Sequence, residues 1–230
     1  MAREGSPEGL FTRRTGAGLK YPVIIIGAGG HAKVLINALL LSSLEIIGLT
    51  DSNPEKHGTF LMDVPIIGDD GEIMRYPADS VRLVNGIGSV NIVLKRRQAY
   101  MRFKEQGYCF AEVVHPSAVV ASDVVLSEGS QIMAGAVIQP GSSIGVGAII
   151  NTGASVDHDC RIGDHAHIAP GVTISGEVEV GENSHIGSGT VIIQGVKIGR
   201  ECLVAAGSVV VRDVPNGAAV LGVPARERKR

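Results

Sequence analysis

The sequence is poor in aromatic residues and in cysteine. Tryptophan is absent, aromatic side chains make up 3% of the 230 residues, and there are three cysteines. So few cysteines do not suggest a disulfide framework. The low cysteine content therefore favours a reducing compartment, the cytoplasm. A net charge of −2 gives no electrostatic basis for binding nucleic acid. No apolar run reaches the length of a membrane span. Residues 1–20 lack the apolar segment of a signal peptide, so we expect a disordered arm there.

What the chain does have is a six-residue repeat from Val119 to Val214. The second position is aliphatic in all sixteen hexads and the sixth is small. A hexapeptide period is typical of a β-helix, in which three hexads would form one triangular turn. The sixth, first and second positions then point in, out and in, because side chains alternate along a strand. Gly fills the fifth position in nine hexads, as expected for corners that need positive φ. A β-sandwich is the alternative, and the unbroken register argues against it.

The part of the chain before the hexads has the pattern of a Rossmann-like unit. Residues 22–26 form an apolar run that predicts a buried parallel strand, and a Gly-rich turn and a helical segment follow. Further strands are predicted at 45–49 and 81–84, and a basic helix at 92–106. Strand, turn, helix, strand and a terminal acid, Asp51, are the parts of a nucleotide-binding βαβ unit.

The Gly-rich turn could serve more than one ligand. Gly27, Gly29 and Ala32, with an acid about twenty residues later, match the dinucleotide fingerprint, which taken alone suggests NAD. A domain of about ninety residues is too short for two mononucleotide-binding halves. The amides of the turn could instead hold a nucleotide diphosphate, or the turn could bind nothing.

One corner of the repeat departs from the glycine pattern. Asp157, His158 and Asp159 stand together, and Asp159 occupies the position that Gly fills in the five preceding hexads. A histidine between carboxylates at an exposed corner can act as an oriented base. We therefore expect His158 to act as a general base, with Asp159 orienting its imidazole. His165, at another corner, is expected to be solvated.

The Gly-rich turn, the acid after the second strand, the segment His115-Pro-Ser-Ala and the hexads together resemble one family. It is the bacterial nucleotide-sugar N-acetyltransferases of the hexapeptide-repeat acyltransferase superfamily. These include the enzymes that acetylate UDP-4-amino-sugars and GDP-perosamine, and they are similar to sialic-acid O-acetyltransferases. The likeness runs from about residue 21 to 226. It implies a Rossmann-like nucleotide-sugar-binding domain at 21–112 and a left-handed β-helix acetyltransferase domain at 113–230. It also implies a homotrimer that holds acetyl-CoA between neighbouring subunits, with no metal required.

The resemblance also implies the site residues. The family's catalytic histidine and adjacent acid correspond to His158 and Asp159, after a matching Asn-Thr pair at 151–152; the family's acid is often Glu. A second histidine near the acetyl group corresponds to His167, and His185 should stack one turn away. The remaining positions are substrate-binding residues Gly29, Gly30, His31, Asp51, Ser52 and Gly88, and cofactor-binding residues Gly176, Gly187 and Ala206. The family often has two acids where this chain has Asp51-Ser52.

We therefore predict an acetyl-CoA-dependent N-acetyltransferase acting on a nucleotide-linked amino sugar, with UDP as the favoured nucleotide. An O-acetyltransferase of the sialic-acid type and a non-catalytic nucleotide-sugar-binding β-helix remain alternatives. A less favoured one is a carbonic-anhydrase-like metal site with His158, His167 and His185 as ligands across an interface. The Asp-His-Asp corner argues against a scaffold, and the nucleotide fold argues against the metal site.

Overall fold

The computed structural model describes residues 21–88 and 94–228, so the predicted arm at 1–20 lies outside the described residues. The chain forms a small α/β domain followed by a β-helix. The elements of the first domain are β1 (Val23–Ile26), α1 (Gly30–Leu41), β2 (Ile46–Thr50), a 3₁₀ helix (Pro54–Lys56), β3 (Phe60–Leu61), β4 (Val64–Gly68), a second 3₁₀ helix (Asp70–Arg75), β5 (Arg82–Asn85) and α2 (Leu94–Glu105).

The first domain is built on one sheet with the strand order β3-β4-β2-β1-β5. Strands β4, β2, β1 and β5 run parallel, and the order of connection reverses between β1 and β5. Every residue of β1 is fully buried, which explains its continuous apolar sequence. The carboxyl ends of β1 and β5 therefore meet at the switch point of the sheet, where open α/β folds bind ligands.

The predicted strands of this domain are present with their bounds shifted by about a residue, and the basic helix ends at Glu105. Its predicted first residues, 92 and 93, lie outside the described part of the chain. The antiparallel hairpin of β3 and β4 was not predicted. Its turn uses Met62 and Asp63 at positive φ instead of the Asn-Gly or Asp-Gly pair that marks such turns in sequences, so no hairpin signal was present.

The second domain consists of two- and three-residue strands joined by turns. They are β6 (Val113–Val114), β7 (Val119–Val120), β8 (Val125–Leu126), β9 (Gln131–Ile132), β10 (Val137–Ile138), β11 (Ser143–Ile144), β12 (Ile149–Ile150), β13 (Ser155–Val156), β14 (Arg161–Ile162), β15 (His167–Ile168), β16 (Thr173–Ile174), β17 (Glu179–Val180), β18 (His185–Ile186), β19 (Val191–Ile192), β20 (Lys197–Ile198), β21 (Leu203–Val204), β22 (Val209–Val210), β23 (Ala219–Leu221) and β24 (Arg226–Glu227).

These strands form the three faces of a parallel β-helix, which confirms the fold predicted from the hexads. Face 1 contains β7, β10, β13, β16, β19 and β22; face 2 contains β8, β11, β14, β17 and β20; face 3 runs from β6 through β9, β12, β15, β18 and β21 to β23 and β24. Strands β6 to β19 each pair in parallel with the strand eighteen residues later, as in His167 with His185, whereas β23 and β24 form an antiparallel pair. The β-helix therefore adds one turn for every three hexads, and β6 extends it before the first hexad.

The second and sixth hexad positions take the places that the sequence predicts. The aliphatic second positions and small sixth positions form one continuous buried cluster along the axis. Fifth positions from Gly129 to Gly207 have positive φ, both at glycines such as Gly141 and at residues such as Asp159 and His165. The corner between faces 1 and 2 contains residues 157–159, and the corner between faces 2 and 3 contains residues 163–165.

The first domain packs against face 3 and the adjacent corner of its own β-helix. The ring of Tyr100, on α2, lies 4.4 Å from that of Phe110 and 5.1 Å from that of His165. Lys104 forms an ion pair of 2.9 Å with Glu128. The expectation that His165 is solvated is wrong, because its side chain is partly covered by α2. Burial, with the nearby charge of Arg96, lowers the pKa of His165 to about 4.

The described helices are short, and none of them has both the length and the apolar character that crossing a bilayer requires.

Candidate active site

The first candidate region is the crevice at the carboxyl ends of β1 and β5. The chain leaves β1 through Gly27, which has a φ of 90°, and α1 starts with Gly29 as its N-cap. No side chain caps this helix, so the amides of its first turn have no intrahelical partner. An uncapped helix start at a switch point can bind the phosphates of a nucleotide. The predicted substrate residues Gly29, Gly30 and His31 all lie here.

Asp51, at the end of β2, holds the other side of this turn in place. Its Oδ2 accepts hydrogen bonds from the amide of Ala28 at 3.1 Å and from Nζ of Lys56 at 2.7 Å, and its Oδ1 accepts from the amide of Asn53 at 2.9 Å. Burial alone would raise the pKa of Asp51, but these three donors lower it below its usual value. Asp51 is therefore an ionised group that shapes the turn, and its neighbour Ser52 is exposed.

Lys56 is a residue of this region that the sequence reasoning missed. Besides its ion pair with Asp51, its Nζ donates to the backbone oxygen of Ala28 at 3.2 Å, so a cation lies beside the Gly-rich turn. The signal in the sequence was a lysine five residues after the acid, in a Pro-containing loop whose fold was not predicted.

Gly88 closes the crevice opposite α1. A Cβ added to Gly88 would lie 3.5 Å from Cβ of His31, so the two predicted substrate residues are neighbours. The carbonyl oxygen of the preceding residue, Ile87, accepts a hydrogen bond from Nη1 of Arg96 at 3.2 Å. The C=O of Ile87 and the N–H of Gly88 belong to the same trans peptide, so they point in opposite directions. Because Arg96 binds the C=O, the N–H of Gly88 points away from Arg96. No carboxylate among the described residues pairs with the buried Arg96.

The second candidate region is the corner formed by Asp157, His158 and Asp159. Nδ1 of His158 lies 2.8 Å from Oδ2 of Asp159, so the shorter acid reaches the imidazole. Asp159 has a φ of 58°, which confirms that it occupies a glycine-type position. The hydrogen bond to Asp159 raises the pKa of His158; burial has a smaller opposing effect, and the charges of Asp157, Asp159 and Glu177 raise it further.

Two glycines make room for this pair of side chains. A Cβ on Gly176, one turn along the helix, would lie 2.5 Å from both Cε1 and Nε2 of the His158 ring. A Cβ on Gly141, one turn back, would collide with Oδ1 of Asp159. The structure thus gives Gly176, predicted as a cofactor-binding residue, a direct contact with His158. Gly141 was missed as a site residue because it follows the same glycine pattern as other corners.

His167 lies on face 3, and Nε2 of its ring faces Nδ2 of Asn151 at 3.1 Å. Oδ1 of Asn151 accepts the amide of Thr152 at 2.8 Å, so the amide nitrogen is the atom that faces the ring and donates to Nε2. In the neutral imidazole the proton is then on Nδ1. The ring of His185 stacks edge-on at 4.9 Å, as the eighteen-residue spacing predicted. His167 is nevertheless buried, with 8% of its surface exposed, although the first position was expected to face outwards.

Gly187 and Ala206 lie next to each other at the corner between faces 3 and 1. A Cβ on Gly187 would lie 2.5 Å from the backbone nitrogen of Ala206. The small residue is therefore required by the stacking of successive turns. Both residues lie beside face 3, on turns of the β-helix that follow the turn of His167.

His158 and His167 lie on opposite sides of one chain. The corner that carries His158 joins faces 1 and 2, and His167 is on face 3, which is the side opposite that corner. The buried core, including Val156, Ile162 and Ile168, lies between them. One chain cannot bring both histidines to the same acetyl group. Within residues 21–88 and 94–228 no three His, Cys, Asp or Glu side chains are grouped as a metal site.

Known proteins match both parts of the chain. The family model described as the PglD N-terminal domain matches residues 22–103, and the bacterial transferase hexapeptide model (six repeats) matches residues 177–212. No curated protein sequence matches the chain.

Several solved structures cover nearly the whole chain. Perosamine N-acetyltransferase from Caulobacter crescentus, in complex with CoA and GDP-perosamine, is 39% identical; the match covers 92% of this chain and 99% of that one, with a TM-score of 0.85. The acetyltransferase domain of PglB from Neisseria gonorrhoeae, with acetyl-CoA, is 32% identical, covers 90% and 98%, and has a TM-score of 0.83. WeeI from Acinetobacter baumannii is 26% identical, covers 90% and 100%, and has a TM-score of 0.80.

Proposed function

The chain belongs to the bacterial nucleotide-sugar N-acetyltransferase family, and from this premise we propose that it transfers the acetyl group of acetyl-CoA to an amino group of a nucleotide-linked amino sugar. Residues 21–112 bind the nucleotide sugar, and residues 113–230 perform acetyl transfer. The observation that carries the proposal is the 2.8 Å contact of Nδ1 of His158 with Asp159, because it leaves Nε2 of a neutral imidazole as a proton acceptor.

The chemistry is a direct transfer between the two substrates. The amine attacks the thioester carbonyl carbon, and Nε2 of His158 takes the proton that the nitrogen loses. The tetrahedral intermediate then collapses, the C–S bond breaks, and the CoA sulfur leaves as a thiolate that recovers the proton from His158. His167 of a neighbouring subunit borders the acetyl group, the position that the family's second histidine suggests.

Two subunits are needed to assemble this site. His158 of one subunit and His167 of a neighbour can meet only across an interface, because they lie on opposite sides of one chain. This supports the homotrimer with acetyl-CoA in the groove between neighbours. Gly187 and Ala206 then line the groove from the His167 side, and Gly176 lies beside His158 on the other side.

The same arrangement supplies a path for the sugar. His31 contacts Gln131 of face 3 at 2.8 Å, and Gln131 lies two turns before His167, or roughly 10 Å along the axis. A nucleotide whose diphosphate binds at Gly29 and Gly30, with Asp51, Ser52 and Lys56 on the nucleoside side, therefore extends its sugar along face 3 towards His167.

The test is acetyl transfer to a panel of UDP-, GDP- and dTDP-linked amino sugars, with CoA release and product mass as readouts. The panel includes GDP sugars beside the UDP sugars that the sequence favoured, because the Caulobacter structure holds GDP-perosamine. We expect a hydroxylamine-stable amide, and we expect His158→Ala to lower kcat by roughly 10²–10⁴-fold while the protein stays folded. An ester product would favour the sialic-acid type of O-acetyltransferase. Near-wild-type turnover of the folded variant would overturn the role of His158.

A further inference from the structure

A buried polar contact joins the substrate-binding turn to the β-helix. Nε2 of His31, at the start of α1, lies 2.8 Å from Oε1 of Gln131 on β9. Gln131 is fully buried although it holds a first position of its hexad, because the first domain covers this part of face 3. The hexad pattern alone would place this side chain at the surface.

The orientation of the Gln131 amide is fixed by a second contact. Its Nε2 donates to the backbone oxygen of Asn85 at 2.9 Å. A carbonyl oxygen can only accept, so the amide nitrogen must face Asn85 and the amide oxygen must face His31. Asn85 is itself held by Arg96, since Nη1 of Arg96 donates to the same oxygen at 2.7 Å and Nδ2 of Asn85 donates to the oxygen of Arg96 at 2.9 Å. The amide of Gln131 therefore cannot flip without losing both contacts.

This orientation determines the tautomer of His31. Oε1 of Gln131 can only accept, so Nε2 of His31 carries a proton and donates it. Burial, assisted by the charge of Arg96 and opposed by the hydrogen bond to Gln131, lowers the pKa of His31 to about 4, so the ring is neutral near pH 7. Nδ1 is then an unprotonated acceptor. Among the described residues Nδ1 of His31 has no hydrogen-bond partner. It is not among the polar side-chain atoms that are both buried from solvent and without a partner.

We propose that Gln131 is a positioning residue that holds His31 as the Nε2–H tautomer, so that Nδ1 accepts a hydrogen bond from a hydroxyl or amino group of the bound sugar. This inference rests on the proposed function, because it names the part of the substrate that His31 recognises. A lone pair on Nδ1 repels phosphate oxygens, which only accept, and the amides of the first turn of α1 attract them. His31 therefore recognises the sugar, and the amides of α1 bind the diphosphate.

Two substitutions of Gln131 change the tautomer in different ways. Gln131→Glu places a carboxylate beside the ring and raises the pKa of His31, so that Nδ1 becomes a donor when the ring is protonated. We expect the KM for the nucleotide sugar to rise about tenfold as the pH falls through the new pKa, which is the loss of roughly one hydrogen bond. In the wild-type enzyme the contribution of His31 to KM stays constant down to about pH 5, given its low pKa.

Gln131→Met removes the acceptor for Nε2–H without adding charge, so both tautomers become populated and the KM rises without that pH dependence. The KM for acetyl-CoA stays unchanged in both variants. Gln98→Glu and Gln98→Met on the exposed side of α2 are the matched controls. A KM for the nucleotide sugar that stays at the wild-type value in both Gln131 variants would overturn the positioning role.

The tautomer is measured independently of activity by NMR of ¹⁵N-histidine-labelled protein, with His31→Asn used to assign the signal. We expect a neutral ring with Nε2 protonated at pH 7 in the wild-type protein. A protonated ring, or the Nδ1–H tautomer, would overturn the inference even if acetyl transfer is observed. Failure of the enzyme to acetylate any amino sugar would instead contradict the proposed function, and the NMR result would still decide the state of His31.

Discussion

At the scale of single residues, the most informative feature is the pair His158 and Asp159. A histidine at a solvent-facing corner would ordinarily titrate near its reference value, and here the adjacent carboxylate raises its pKa. The base must be neutral to accept a proton, so the rate should rise with pH through a pKa above that of a free imidazole. Asp159 also tolerates the positive φ that its position demands, as Asn would.

Asp159→Asn tests the contribution of the carboxylate while keeping the backbone conformation. Removing the negative charge lowers the pKa of His158, so we expect the acidic limb of kcat/KM to move to lower pH. The plateau should fall roughly tenfold or more, because a less basic and less oriented imidazole is a poorer general base. The measurement is a pH–rate profile with saturating acetyl-CoA.

Asp157→Asn is the control for this experiment. Oδ1 of Asp157 accepts a hydrogen bond from the backbone amide of His158 at 2.8 Å, which Asn can also accept. Its charge raises the pKa of His158, but the largest contribution is the side-chain hydrogen bond of Asp159 to the ring. We expect a smaller shift in the same direction. An acidic limb that stays in place in Asp159→Asn would show that Asp159 does not set the basicity of His158.

Much of this residue-scale picture was predictable from the sequence. The break in the glycine pattern at Asp159 indicated the corner that contains His158, because the repeat predicts the residue type at each position. Gly141, Lys56 and Gln131 were not predicted. Gly141 conforms to the repeat, and the roles of Lys56 and Gln131 arise from contacts between segments that are distant in sequence.

At the scale of one element, glycines in the hexads have two distinct uses. Some face the backbone of the next turn: a Cβ on Gly163 would lie 2.7 Å from the nitrogen of Glu182. Gly176 instead faces the ring of His158. The first use belongs to the fold and the second to the site, and the repeat pattern does not separate them.

Gly176→Ala should therefore lower catalytic activity, whereas Gly163→Ala should lower stability. Alanine at 176 displaces a movable imidazole, so we expect little loss of thermal stability and a loss of kcat of about a hundredfold, as for a misplaced catalytic group. Alanine at 163 meets backbone that cannot move, so we expect a destabilisation of about 1–3 kcal/mol with near-normal kcat in the protein that remains folded.

Thermal unfolding and steady-state kinetics on both variants are the measurements. An unstable Gly176→Ala protein would mean that this glycine serves the stack of turns like the others. Normal kcat in Gly176→Ala would mean that the ring of His158 does not need this space.

At the scale of the whole molecule, the placement of the first domain on face 3 gives the site its organisation. The order of domains and the class of each were predictable from periodicity and turn signals. The docking was not, because it depends on tertiary contacts such as Arg96 with the oxygen of Gly147 at 3.2 Å. That docking also explains why Gln131, a first position on face 3, is buried.

The central claim is that His158 of one subunit and His167 of another act on the same acetyl group. The most direct test mixes His158→Ala and His167→Ala subunits by unfolding and refolding them together, with acetyl transfer as the readout. Each variant alone should be nearly inactive. Random assembly of a cyclic oligomer should restore roughly a quarter of the sites, since one interface in four then receives both histidines. Mixing His158→Ala with His158→Asn should restore none. Mixed oligomers without activity, from variants that are individually folded, would contradict the shared site.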